Sequence, residues 1–213
     1  MHYPAPGRPN ERTVKNLTLT LAALCAAALW TPAAADGAWD LPALMKELGG
    51  IRLIDAAFTE QKQAEFLSGG EFAVSGEMHF KAPHTLRRIV TKPYRESIII
   101  DESTVIIKRM DSKNETDKVR FIEIDSHPSI RLFIDSMRAT MAGDLATVLE
   151  IYEVELSGDR GEWSLRLVPQ RKALKKFINA VDVTGSANRI STLLVHEDDG
   201  TRSLITLDYN FIR

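Results

Sequence analysis

Hydrophobic residues recur along this chain with two different periods. Between Glu71 and Lys81 they alternate with polar ones, which puts Phe72, Val74, Met78 and Phe80 on one face of a β-strand. Pro83 ends that run, and a second strand is expected over Leu86 to Thr91, closed by Lys92-Pro93. Ser97 to Asp101 and Thr104 to Met110 form the next pair, joined through Asp-Glu-Ser, a turn composition. Val119 to Ile124 adds another strand. The period then changes. From Pro128 to Met141 the apolar positions are Ile130, Phe133, Ile134, Met137 and Met141, spaced by three and four, which predicts an amphipathic helix with Ser126 as its candidate cap. Gly143 interrupts, and Asp144 to Leu149 reads as a further turn or two of helix.

Strand periods resume at Ile151 to Leu156, Trp163 to Val168, Phe177 to Val183, Arg189 to His196 and Arg202 to Tyr209. Gly158-Asp-Arg-Gly161 and Asp198-Asp-Gly200 are good turns between them. Upstream, Leu41, Leu44, Met45 and Leu48 make one face of a short helix over Trp39 to Gly49, with Asp40 as cap and Pro42 in the first turn. Phe58 to Leu67 (FTEQKQAEFL) is weakly apolar and charged, the composition of an edge strand, and Leu67-Ser-Gly-Gly follows as a turn.

Roughly ten or eleven strands and two or three helices result, and short turns make sequential strands antiparallel neighbours. A sheet that wide curls strongly toward a barrel, which leaves one face concave. The expected lining of that face is Phe72, Val74, Met78, Phe80, Leu86, Ile98, Ile100, Val105, Ile107, Trp163, Leu165 and Leu167. The helix Pro128 to Met141 is the natural cover of its mouth. Periodicity alone serves a second reading equally well, in which the same residues are an ordinary core packed against the helices. A charged residue at Phe80 is expected to abolish ligand binding without unfolding the protein if the cavity reading holds.

Composition narrows the function. Arg8, Arg12 and Lys15 precede an apolar run of about fourteen residues, Leu17 to Trp30, and then Ala33-Ala34-Ala35. That is the layout of a signal peptide cleaved after Ala35, and the run falls short of the ~20 residues that span a bilayer. Residues 36–213 then form one domain of about 178 residues, exported to a periplasm-like space. Removing three basic residues and one acidic residue, Glu11, takes the formal charge from −2 to about −4, which is no nucleic-acid footprint. The single cysteine, Cys25, lies in the leader, so the mature chain has no disulfide or thiolate metal site.

Residues that invite chemistry have simpler explanations. His79 and His84 are separated by Pro83, and His196-Glu-Asp-Asp199 reads as a polar hairpin turn before Gly200 rather than as a cation site. Asp125-Ser126-His127 are neighbours in sequence, which rarely make a triad, and no nucleophile elbow or phosphate loop is present. Arg171, Lys172, Lys175 and Lys176 form a solvated turn or a docking patch for an acidic partner or anionic headgroups.

One resemblance ties the elements together. A helix before FTEQK (Phe58 to Lys62), then GEMHFKAP (Gly76 to Pro83), a second strand, Lys92-Pro93 and an apolar strand ending in an acidic turn resemble the LolA-type periplasmic lipoprotein carriers of the LolA/LolB superfamily. Gly143 to Pro169 looks like a LolA-related branch. The resemblance implies an unclosed β-barrel with a helical lid, formed here by Ile130, Phe133, Ile134, Met137 and Met141, over an apolar cavity that holds acyl chains. It implies no catalysis and no cofactor, a monomer, an acylated lipid or lipoprotein as cargo, an inner-membrane donor and an outer-membrane acceptor. Family carriers typically place an Arg before the proline matching Pro83, where it bonds the lid. Here that position is Ala82, which leaves Arg87 or Arg88 as the candidate latch.

Overall fold

The structure, a computed structural model, describes residues 39–63, 72–111 and 116–210. The leader expected over 1–35, the turn at Leu67 to Gly70 and the strand start at Glu71 lie outside the described residues. Helix α1 (Leu41–Gly49) opens with Asp40, whose side chain accepts from Ala43 N at 2.9 Å. Strands β1 (Leu53–Gln63), β2 (Phe72–Lys81), β3 (Thr85–Lys92), β4 (Glu96–Ile100), β5 (Thr104–Asp111) and β6 (Thr116–Glu123) follow. A single 3-10 turn (Ile124–Ser126) leads into α2 (Pro128–Ala142) and α3 (Leu145–Ile151). The chain ends in β7 (Tyr152–Gly158), β8 (Trp163–Pro169), β9 (Ile178–Ser186), β10 (Arg189–Glu197) and β11 (Arg202–Asp208).

All eleven strands form one antiparallel sheet in the order β6-β5-β4-β3-β2-β1-β11-β10-β9-β8-β7. The sheet is an unclosed barrel whose two edges, β6 and β7, are joined by the helical crossover. The expected edge strand is therefore corrected. Strand β1 begins at Leu53 and lies in the middle, paired with β2 on one side and β11 on the other. Its charged composition has a different cause, given below.

The core lies on the concave side. Leu44, Met45 and Leu48 of α1 are buried with Ile54, Phe58 and Phe80, with Trp163, Leu165 and Leu167, and with Val148 and Ile151 of α3. Trp163 also satisfies its indole, which donates to Ala187 O at 2.8 Å. A second, smaller cluster joins Ile100, Val105, Ile124 and Ile134.

Helix α2 runs between the two clusters. Ile130, Ile134 and Met137 face the small one, while Leu132, Ala139 and Met141 pack on the large one. At 100° per residue, Ile134 and Ala139 point to roughly opposite sides of the helix, so α2 carries two buried stripes rather than the one read from its spacing. Phe133 falls between them and is 41% exposed, which removes it from the expected apolar face. Ser126 does not cap α2 either: its hydroxyl donates to Glu123 at 3.3 Å, and the N-cap position belongs to His127.

The helices meet at Gly143, the C-cap of α2. Its φ is +68°, and a Cβ there would lie 2.0 Å from Met45 O and 2.8 Å from Gly49 N. Asp144 then caps α3, accepting from Thr147 N at 3.1 Å and from the Thr147 hydroxyl at 2.6 Å. The hydroxyl, then the amide, hold its carboxyl below the usual carboxylate range. A lowered folded value means that this cap stabilises fully above about pH 4 and fades as pH falls through the folded value. Asp144→Asn keeps an acceptor but cannot titrate. Its stability deficit should therefore shrink on acidification, read as the difference in urea midpoints between pH 7 and about pH 2. A deficit constant with pH would rule this out.

Candidate functional site

Register fixes which side chains share the concave face. Ile54 stands opposite Phe80, Leu86, Ile100, Val105 and Ile122 across β1 to β6. Two residues further along each strand the row is Ala56, Met78, Arg88, Ile98, Ile107 and Arg120. The third row brings Phe58, Gly76, Val90, Glu96, Arg109 and Lys118 together. The face thus grades from apolar under α2 to charged at its far end, where β1 adds Glu60 and Lys62.

A cavity of about 320 Å³ opens at this transition. Its walls are Phe72, Val74, Ile98 and Ile205 on the apolar side and Glu60, Lys62, Arg88, Glu96 and Tyr94 on the polar side. Arg88 pairs with Glu60 and reaches Glu96 at 3.7 Å, and these three side chains are only 14–18% exposed. The Arg88 guanidinium also lies 4.8 Å from the centre of the Phe58 ring. Arg109 approaches Glu96 at 3.9 Å and stacks over Tyr94 at 4.4 Å. The Phe72 and Tyr94 rings lie 6.1 Å apart and 19° from parallel. Lys62 pairs with Glu197 at 2.7 Å. Strand β1 is charged because its inner face supplies this floor.

Of the twelve residues expected to line a cavity, Phe72, Val74 and Ile98 do so here. Trp163, Leu165, Leu167 and Phe80 are 0–3% exposed inside the large cluster, and Ile100 and Val105 are buried in the small one, beside Leu86 and Ile107. Met78 packs partly buried on the large cluster. A charge at Phe80 would therefore sit unpaired in the core and unfold the protein, contrary to the sequence expectation. Ile98, partly exposed on the wall, is the position where a charge tests binding.

The latch is also corrected. Arg88 is held by Glu60 and Glu96, while Arg87 lies exposed on the outer face opposite His79 and Ile99. The side chain that ties helix to rim is Arg138 of α2. It donates to Asp101 O at 2.6 Å, His84 O at 3.2 Å and Glu102 O at 3.4 Å, and so clamps the β2–β3 and β4–β5 turns. Across the helix, the Tyr152 hydroxyl donates to Ser136 Oγ at 2.8 Å. Burial pushes the Tyr152 phenol up from its ordinary value. Neither Arg138 nor Glu60 and Glu96 stood out in the sequence, since each reads as a solvated charge on a helix or strand.

No group of three or more His, Cys, Asp or Glu suited to a metal exists among the described residues. His79 is engaged by Asp55 and Glu77, and His196 by Asp182 at 2.7 Å. Arg171 pairs with Glu150. Lys172, Lys175 and Lys176 are exposed around Leu174, which is fully buried.

Residues 11–202 match the family described as outer membrane lipoprotein carrier protein LolA-like. Among solved structures the chain is similar to a LolA superfamily protein from Nitrosomonas europaea, with 8% identity over 80% of this chain and 93% of that one and a TM-score of 0.39. It is similar to a chain of the MucA/MucB complex of Pseudomonas aeruginosa, with 10% identity over 79% of this chain and a TM-score of 0.40; it covers 55% of that chain's length. A DUF1329 family protein from Desulfovibrio piger shares 12% identity over 80% of this chain and 91% of its own length, at a TM-score of 0.31. No curated protein matches the sequence significantly.

Proposed function

The chain belongs to the LolA-like family of outer membrane lipoprotein carrier proteins, and from that premise we propose that it is a non-enzymatic periplasmic carrier. It binds the acyl part of a lipoprotein, glycolipid or other acylated molecule and shuttles it toward the outer membrane. Residues 1–35 serve as the export leader and 36–213 as the single carrier domain. An inner-membrane donor loads it and an outer-membrane acceptor unloads it.

The observation that carries this reading is the half-apolar cavity on the concave face, whose wall residue Ile98 also packs on the small apolar cluster that α2 covers. At about 320 Å³ the cavity sits at the low end of the ~300–1,000 Å³ found for ligand sites. A sixteen-carbon chain offers roughly 12 kcal/mol gross at ~0.8 kcal/mol per buried methylene, reduced by several kcal/mol of association cost. To take up that much chain, α2 has to move off the small cluster of Ile100, Val105, Ile124 and Ile134. Met137, unbranched and on the moving face, suits irregular apolar partners.

The test is native mass spectrometry on protein taken from its own periplasm, followed by lipid extraction. A bound acylated species is the expected result. Ile98→Asp should then cut uptake of an apolar dye by more than tenfold while the circular dichroism stays that of a folded protein. Unchanged uptake would remove this wall from the site. A second reading, a module that recruits a protein partner while its own helices fill the barrel, is favoured by one fact. Leu44, Met45 and Leu48 of α1 are packed into the large cluster against the sheet at 0–1% exposure. An apo mass with no dye uptake would select that reading.

A further inference from the structure

The charged end of the cavity is more than an acyl carrier needs. A polymethylene chain gains nothing from a floor of Glu60, Arg88 and Glu96, and laying one over it would strip water from three charges. Resting on the carrier reading, we infer that this floor is a head-group site for an amphiphile whose head is neutral and rich in hydroxyl groups, such as a sugar.

Three observations select that class. The ionic groups around the cavity balance: Lys62, Arg88 and Arg109 are matched by Glu60, Glu96 and Glu197, each in an ion pair. A charged head would have to break one of those pairs. A hydroxyl donates to a carboxylate and accepts from a guanidinium at the same time, so it joins the network without displacing a member. Beside the network, Phe72, stacked on Tyr94 and 43% exposed, offers flat apolar surface suited to the C–H side of a sugar ring. The volume also fits: 320 Å³ has room for about ten water-sized groups at ~30 Å³ each, the size of one ring-shaped head. The chain would leave this head past Val74 and Ile98 toward the apolar rows under α2. Arg120 and Lys118 stand further out on β6, outside the cavity lining, which makes an anionic head the chief competitor.

The test compares four surfactants of one chain length by calorimetry, below micelle formation: dodecyl glucoside, dodecyl phosphate, dodecyltrimethylammonium and dodecylphosphocholine. The glucoside is expected to bind at least tenfold more tightly than the other three. Glu60→Gln with Glu96→Gln keeps the shape of the floor but removes its carboxylates. That double variant should lose the preference, so that the glucoside binds no more tightly than the other three. Arg88→Met should do the same, with the double variant guarding against a fold weakened by two unpaired carboxylates. Equal or tighter binding of any charged or zwitterionic head, or a glucoside preference that survives both variants, overturns the assignment. If the dye and all four surfactants bind alike, the carrier reading stands and the head-group site falls. If neither the dye nor any surfactant binds, both fall together.

Discussion

Gly143→Val is expected to cost about 3–5 kcal/mol of stability, enough to leave a marginal domain partly unfolded. Two penalties combine. A left-handed backbone costs an L-residue roughly 1–2 kcal/mol, and more for a β-branched one. The added Cβ would also fall 2.0 Å from Met45 O and under 3 Å from the Gly49 backbone. Relief requires α1 and α2 to part, which loosens Leu44, Met45 and Leu48 in the large cluster. Gly143→Ala should show the same defect to a smaller degree. Urea denaturation of the pair measures it, and a loss under about 1 kcal/mol for valine would mean that the two helix ends do not meet as described.

Arg138→Ala should have the second largest effect, and a more local one. A hydrogen bond from a charged donor contributes about 1.5–3 kcal/mol, and Arg138 makes three, to carbonyls on two strand turns. Those turns are at the surface and regain water, so the global loss should be about 2 kcal/mol rather than the sum. The consequence for binding is sharper. Helix α2 loses its tie to the rim while Tyr152 still holds Ser136 on its other side. Amide exchange in Pro128–Ala142 should accelerate by about tenfold or more, with α1 unchanged, and uptake of an apolar dye should quicken. Equal acceleration in both helices would mean that Arg138 holds the whole domain, not the cover.

Much of this fold was legible because its signals are local. Alternation located β2, β3, β8 and β11 within a residue or two, and Asp40 and Gly143 marked their helix ends. The misplacement of β1 has a physical reason. FTEQKQ has the charge of an edge, and its pairing with β11 joins residues such as Phe58 and Leu207 that no local pattern connects. The site was less legible for the same cause. Glu60, Arg88 and Glu96 sit on three strands and meet only when the sheet curls, so each reads singly as a surface charge. The second buried stripe of α2 was hidden because Ser136 and Ala139 are too polar or too small to register as apolar periodicity, though both are buried.

The return of the last strand to the first has a consequence for how the chain is made. Strands β1 to β6 pair with near neighbours and can form as the polypeptide emerges, as can β7 to β11 among themselves. The β1–β11 ladder, Ala57 to Gln63 against Asp208 to Arg202, waits for the whole chain. Until it closes, each half exposes a bare strand flank where a growing chain is most prone to pair with the wrong neighbour. Glu60, Lys62 and the glutamines between and beside them give that flank the charged, polar composition that discourages wrong pairing at an edge. The charges that build the cavity floor thus also suit a strand that, for most of the chain's synthesis, is an edge.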